Sequence, residues 1–254
     1  MENVHDVRPD FGNWVSIRII VAPLVVAAVF AAVSFLSLLL LIPAAIFLLV
    51  ALYFILARYL FSPRGMNVQE TIHSFVLDRL EWDGRGRALD IGCGGASLAI
   101  SMARKYPGST VVGTDYWGGN WEYSQKTCED NARIEGVGER LSFRQASASS
   151  LPFQDGEFDA VVSNLVFHEV KDTRDKMSLV KEALRVLRKG GAFALQDLFY
   201  VDRFFGSPEE IVQTMRGWGV ENVELSATKD SALIPAALKL PFMVGTLGLL
   251  TGKK

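Results

Sequence analysis

Two hydrophobic patterns divide the chain. From Ile19 to Ala57 no Asp, Glu, Lys or Arg interrupts the sequence, whereas beyond Gly65 short apolar runs alternate with stretches of helical period. As one straight helix the first pattern would be about 58 Å long, roughly twice the hydrocarbon thickness of a bilayer. It therefore predicts a hairpin: one helix over Val15–Val33, a turn near Ser34–Pro43, and a second helix over Leu38–Leu60. Pro43 then falls early in the second helix, where its missing N–H costs least. Arg18, Arg58 and Arg64 place both ends on the cytoplasmic side of a membrane, although Glu2, Asp6 and Asp10 lie there too. Trp14, Tyr53 and Tyr59 are candidate interface aromatics. A secretory signal is the competing reading, but its apolar region spans only about 7 to 15 residues.

After the linker "FSPRG", Asn67 with Glu70 three positions on reads as a capping box opening a helix to about Leu80. Strands are expected over Arg87–Ile91, Thr110–Thr114, Leu141–Arg144, Phe158–Ser163 and Ala192–Gln196. Helices are expected over Ser97–Lys105, Trp121–Glu135, Thr173–Leu187 and Pro208–Trp218. Strands separated by helices of this length predict an α/β fold, a doubly wound parallel sheet with helices on both faces. The expected division is an N-terminal membrane hairpin, 1–60, and a globular domain, 61–254.

Composition narrows the picture further. Half of the 254 residues are hydrophobic, enough for one sizeable core plus the apolar appendage. A net charge of −2 argues against a general nucleic-acid binder. Cys93 and Cys128 are the only cysteines; they lack metal-ligand spacing and point to a reducing compartment. No metal is called for. The sequence does not set an oligomeric state.

Candidate chemistry centres on "ALDIGCGGASLAI", a strand that ends in glycines and runs into a helix. In a doubly wound sheet such a turn faces a nucleotide-like ligand, and Gly92, Gly94 and Gly95 let the backbone approach it. Charge chooses the ligand. Asp90 stands just before the turn, and no Lys or Arg occurs from Asp90 through Ala103. A dinucleotide would bring its pyrophosphate against that carboxylate, at a cost on the order of kilocalories, whereas a cation would be attracted. Ser97 also breaks the G-x-G-x-x-G/A pattern, and there is no phosphate-binding G-K-[ST]. S-adenosylmethionine, with its α-ammonium and sulfonium, meets the requirement. Asp115, ending the second strand roughly 20 positions on, is placed to accept both ribose hydroxyls, or alternatively to cap the next helix. Tyr116 and Trp117 are candidates to lie against the adenine or to pack in the core.

These residues resemble the class I S-adenosylmethionine-dependent methyltransferases, in particular the branch of ubiquinone/menaquinone and sterol or tocopherol C-methyltransferases. The resemblance rests on "ALDIGCGG", "VVGTDYW", "LPFQDGEFDAVVSNLVFHEV" and "KEALRVLRKGGAFALQD", and covers about Asn67 to Val201. It implies a Rossmann-like seven-stranded doubly wound sheet ending in an antiparallel hairpin, here from "NVELSA" and "GTLGLLTGKK". It also implies cofactor contacts from Asp90, Gly92, Cys93, Gly94, Gly95, Asp115, Tyr116, Ser147, Ala148 and Asn164. Two departures stand out. Ala96 replaces a family glycine, and "ASA" (Ala146–Ala148) replaces "GDA", whose Asp receives the adenine amino group, leaving Ser147 as an uncharged acceptor.

The methyl group of such a cofactor is already activated, so the protein's work is to align the nucleophile and exclude water. If the nucleophile carries a proton, His168 is the candidate general base, with Glu169 beside it as the less favoured carboxylate. Glu182 and Arg185 read as a structural pair; His5 and His73 have no constellation around them. An apolar anchor implies a lipid bilayer as partner and a small lipophilic acceptor, such as a prenylated quinone precursor, a sterol-like molecule or a polar lipid. The apolar segment Ser231–Val244 is expected either to cover the site as a lid or to rest in the headgroup layer. A soluble acceptor, a non-catalytic cofactor-binding membrane protein and a nicotinamide oxidoreductase are the competing functions.

Overall fold

The computed structural model describes Arg8–Trp117 and Tyr123–Lys254. It divides into two compact units, Gly12–Thr71, and Ile72–Lys254 together with the stretch that ends at Phe11.

The first unit holds α1 (Ile17–Ala32) and α2 (Leu41–Phe61), joined by a tight turn and one 3-10 turn. Ser16 caps α1 through Arg18 N–H, and Pro23 lies inside it. The helices pack antiparallel: Phe30 stacks on Phe47 at 6.2 Å, and at the open end Asn13 Nδ2 donates to Arg58 O while the Arg58 guanidinium donates to Val15 O. Small residues, Ala27 on α1 and Ala44 and Ala51 on α2, are buried. Large aliphatics such as Val25, Val29, Ile42, Ile46, Leu49 and Leu52 face outward. The stretch Leu38–Phe61 is long and apolar enough to cross a membrane; α1, at 16 residues or about 24 Å, is shorter than the hydrocarbon layer. Of the two spans expected, one thus meets the length requirement. Asn67 corrects the capping-box expectation: at φ +49° it turns through the left-handed region instead of the extended conformation of an N-cap. The helix it precedes is α3 (Val68–Asp78).

The second unit is a seven-stranded sheet. Its strands are β1 (Gly86–Ile91), β2 (Ser109–Asp115), β3 (Leu141–Gln145), β4 (Phe158–Asn164), β5 (Leu187–Asp197), β6 (Glu221–Ala227) and β7 (Gly248–Lys253), in the order 3-2-1-4-5-7-6. The first five are parallel; β7 runs antiparallel between β5 and β6, as the resemblance implied. The crossover helices are α4 (Ser97–Lys105), α5 (Gln125–Ile134) and α6 (Lys176–Val186); α7 (Asp202–Phe205) and α8 (Pro208–Gly217) follow β5. Ser124 caps α5 and Asp175 caps α6, so both helices begin a few residues later than the apolar period predicted. Trp121 lies outside the described residues. α8 opens with Pro208 and a full capping box between Ser207 and Glu210.

Strand alternation gives the sheet two unlike faces. Leu89, Ile91, Phe158, Val161, Phe193 and Leu195 form a large-residue core with α6 and α8. On the other face Ala88, Ala160, Ala192 and Ala194 are small, and α3, α4 and α5 pack there through Val76, Ala99, Ala103 and Ala132. Asp90 belongs by register to this small-residue face.

His73 of α3 is buried there, its Nδ1 3.2 Å from Ser97 Oγ, and burial pushes its pKa down to about 4. An unfolded histidine titrates near 6.5, so between these values the unfolded chain binds more protons. Stability is therefore full above about pH 6.5 and falls as pH drops toward 4, by up to about 3 kcal/mol. Denaturation of the full chain in detergent at a series of pH values should show this slope, and H73Q should flatten it.

Candidate active site

The carboxyl edge of the parallel strands gathers the polar groups. Thr114 O accepts from Gly92 N (2.7 Å) and Cys93 N (2.9 Å), which curls the turn after β1 against the end of β2. At φ +73° Gly92 occupies the left-handed region, and a Cβ there would overlap Val166 in the loop after β4. A side chain at this position is excluded on both counts. Ala96 also sits at left-handed φ, +68°, immediately before α4, a strain that the family's glycine would not carry.

Asp115 fastens the turn. Its Oδ2 accepts from Gly94 N and its Oδ1 from Trp117 N, both at 2.9 Å, while Trp117 Nε1 donates back to Gly94 O. Asp115 does not cap α5, because Ser124 does. Of the two aromatics considered for the adenine, Trp117 packs into the core and Tyr116 stands 67% exposed. The Cys93 side chain is buried behind the turn beside Cys128, whose thiol donates to Gly94 O at 3.0 Å.

A strap crosses this turn from the N-terminal side. Asn131 of α5 accepts from Asp10 N and donates to both Asp10 O (2.8 Å) and Gly95 O (2.9 Å), and the Tyr123 hydroxyl donates to Phe11 O. Sequence reasoning assigned the strap to the hairpin and did not single out Asn131.

Asp90 is 1% exposed. One of its oxygens accepts from the Ala99 N–H in the first turn of α4, and the other, Oδ2, is buried without a hydrogen-bond partner. Burial, then the nearby Asp115 charge, raises its pKa well above the usual carboxylate range, while the Ala99 bond acts the other way. Asn164, ending β4, likewise has a buried Oδ1 without a partner.

After β3, Ala146 N donates to Asp115 O, Ala148 enters the core, and Ser147 Oγ donates to Asp172 Oδ2 at 2.8 Å. Ser149 donates to the same oxygen. The charge missing at Ser147 is thus present one hydrogen bond away, on a residue that the sequence pattern did not mark.

His168 lies in a single 3-10 turn, Phe167–Glu169, two residues beyond Val166. Its Nδ1 is 2.6 Å from Oδ1 of Asp197, the last residue of β5, which is fully buried. Asp197 also accepts from the backbone N–H groups of Phe167 (2.7 Å) and Leu198 (2.7 Å). A carboxylate accepts, so in the neutral ring Nδ1 carries the proton and Nε2 keeps its lone pair. Burial pushes the imidazole pKa down, but the Asp197 hydrogen bond and charge outweigh it, and the net shift is upward. Glu169 Oε1 lies 3.9 Å from Nε2. Arg185 is bidentate to Glu182 and also donates to Asp155 and to the Leu151 and Phe153 carbonyls, a structural clamp away from this edge, as expected.

Residues 89–195 match the family model described as "Methyltransferase domain". An uncharacterized methyltransferase of Synechocystis sp. is 27% identical over 73% of this chain and 84% of its own length. A ubiquinone/menaquinone biosynthesis C-methyltransferase of Desulfotalea psychrophila is 29% identical over 50% of this chain, which covers under half of that relative (47%). Among solved structures, geranyl diphosphate C-methyltransferase of Streptomyces coelicolor, in complex with S-adenosyl-L-homocysteine, shares the fold with a TM-score of 0.54 at 16% identity, over 74% of this chain and 79% of that one. The protein is an S-adenosylmethionine-dependent methyltransferase. The methyltransferase's own site fits the cofactor: Asp90 Oδ2 is a buried acceptor lacking a donor, two residues before a turn in which Gly92 has no room for a side chain beside Val166.

A buried carboxylate that must ionise to hold a cation makes affinity pH-dependent. Cofactor binding is expected to weaken as pH falls through the raised Asp90 pKa, and D90N is expected to bind roughly 10- to 100-fold more weakly at neutral pH. Isothermal titration in buffers of different ionisation enthalpy checks both, since proton release on binding should vanish in D90N.

Proposed function

We propose that this methyltransferase is held at a membrane by the Ile17–Phe61 helical pair and methylates a small lipophilic acceptor from the cytoplasmic side. The observation that carries this reading is the outward surface of that pair. Many large aliphatics of α1 and α2, such as Val25, Val29, Ile42, Ile46, Leu49 and Leu52, are exposed, with no charge between Ile19 and Ala57, so a low-dielectric surround suits them. The Desulfotalea relative, named for ubiquinone and menaquinone biosynthesis, supports an acceptor of this chemical class.

In this reading Asp90 pairs with the cofactor's ammonium, Asp115 receives the ribose, and Ser147, oriented by Asp172, meets the adenine beside Ala148 and Tyr116. The backbone of Gly92, Cys93, Gly94 and Gly95 lines the crevice, and Asn164 Oδ1 offers one further buried acceptor. When bound, S-adenosylmethionine supplies an activated methyl group. His168 Nε2 takes the proton that the acceptor's nucleophile gives up, and Asp197 holds the ring in the competent tautomer and stabilises the imidazolium formed.

His168 must be neutral to act, and its pKa lies above the ordinary 6.5, so turnover should rise with pH through a midpoint above that value. D197N removes the raising partner and should move the midpoint downward. H168Q should lower turnover by about 10²- to 10⁴-fold while leaving cofactor affinity intact.

The acceptor class is tested with the full chain in detergent, methyl-labelled cofactor, and separate lipid and water-soluble extracts. Label in the lipid fraction is the expected result; label confined to water-soluble molecules or protein would overturn a lipophilic acceptor.

A further inference from the structure

The connection between β6 and β7 leaves the sheet at Thr228 and returns at Leu247, with Thr228 N donating to Leu247 O (3.0 Å). Because Gly248 pairs with Asp197, the connection lies on the same carboxyl edge as Asp90, Asp115 and His168. Tyr200 N donates to Thr246 O, tying it to the loop after β5.

The connection is a built structure. Ile234, Leu238, Val244 and Leu247 are buried and anchor it inward. Val244 N donates to Leu238 O, Gly245 N to Leu240 O, and Thr246 Oγ1 to Pro241 O, each at 3.0 Å. A side chain at Gly245 would overlap the backbone at Lys239.

With those anchors turned in, Leu233 (65% exposed), Leu240 and Phe242 (64%) turn out, alongside exposed Ala232, Ala236 and Pro241. Elsewhere in the catalytic unit, among the described residues, Tyr116 of the cofactor turn is the one other exposed large hydrophobic. From Ser231 to Leu247 there is no acidic residue, and the single charged side chain, Lys239, folds back to donate to Ser231 O. A fixed apolar crown with no negative charge, beside the acceptor's edge of the sheet, has the chemistry of an interfacial contact.

We propose that Leu233, Leu240 and Phe242 enter the headgroup–acyl boundary of the bilayer, so that the active-site edge opens onto the lipid surface. This rests on the reading of a membrane-held enzyme with a lipophilic acceptor, and it adds a second contact made by the catalytic unit itself. An acceptor dissolved in the leaflet then reaches His168 from the lipid side without crossing water.

The test uses the full chain in phosphatidylcholine/phosphatidylglycerol vesicles containing doxyl-labelled lipids, with a nitrobenzoxadiazole probe on F242C or L233C. Both native thiols are buried. R85C, just before β1 on the opposite edge, is the background, and L49C reports α2 separately. Blue shift and quenching at 242 and 233, absent at 85, are expected. Emission at 242 that is no more quenched than at 85 overturns the proposal, and so does a blue shift without quenching, which would mean that a second copy or another protein surface covers the crown. Quenching at 49 decides the anchor independently: 49 quenched with 242 dark to lipid rejects the crown and keeps the anchor, while the reverse rejects the anchor and keeps the crown.

Discussion

A carboxylate buried without enough donors is the constraint on which this site depends. Asp90 is the penultimate residue of β1, where one oxygen is taken by the first turn of α4 and the other has no partner. Leaving a buried acceptor unsatisfied costs roughly 1 to 3 kcal/mol, more when it is charged, and a cationic ligand would reverse that cost. Asp115 adds a second negative charge nearby, yet spends both of its oxygens on backbone N–H groups of the two loops that frame the crevice. One acid holds the turns in shape, and the other keeps a buried acceptor open.

The small-residue face of the sheet makes that placement possible. Ala88 is the small residue of β1 on the face that α4 covers, and the Ala99 N–H in the first turn of α4 reaches Asp90. Gly92 lets the loop after β4 press directly on the turn through Val166, and His168 follows two residues later. The glycine turn and the turn that carries His168 thus meet in one packing contact. On the other side Asn131 ties Asp10 to Gly95, so the segment leading into the apolar helices is fastened to the same turn.

The parts of the fold visible in the sequence are those encoded by local spacing. Strand cores, the glycine turn and Asp115 at the end of β2 were legible because alternation and turn chemistry act over a few residues, whereas the antiparallel β6–β7 pair was expected only from the family resemblance. The starts of α4 at Ser97 and α8 at Pro208 were also legible, but those of α5 and α6 were not: Ser124 and Asp175 outcompete the apolar period as caps, and Asn67 prefers a left-handed turn. Trp117 and Tyr116 are adjacent and chemically alike, yet one packs inward and the other outward, a choice made by the backbone turn at φ +41° that no propensity marks.

Sequence alone determined the class of fold, the charge-based choice of cofactor and the presence of a long uncharged apolar run, since each follows from residues close together in the chain. Tertiary structure alone decided which groups complete the site. Asp197 meets His168 across 29 positions, Asp172 supplies Ser147 with a carboxylate across 25, and Asp10 meets Asn131 across 121. Such pairings are set by strand order and loop closure, so the partners carry no local signature and become chemistry only when the sheet brings their edges together.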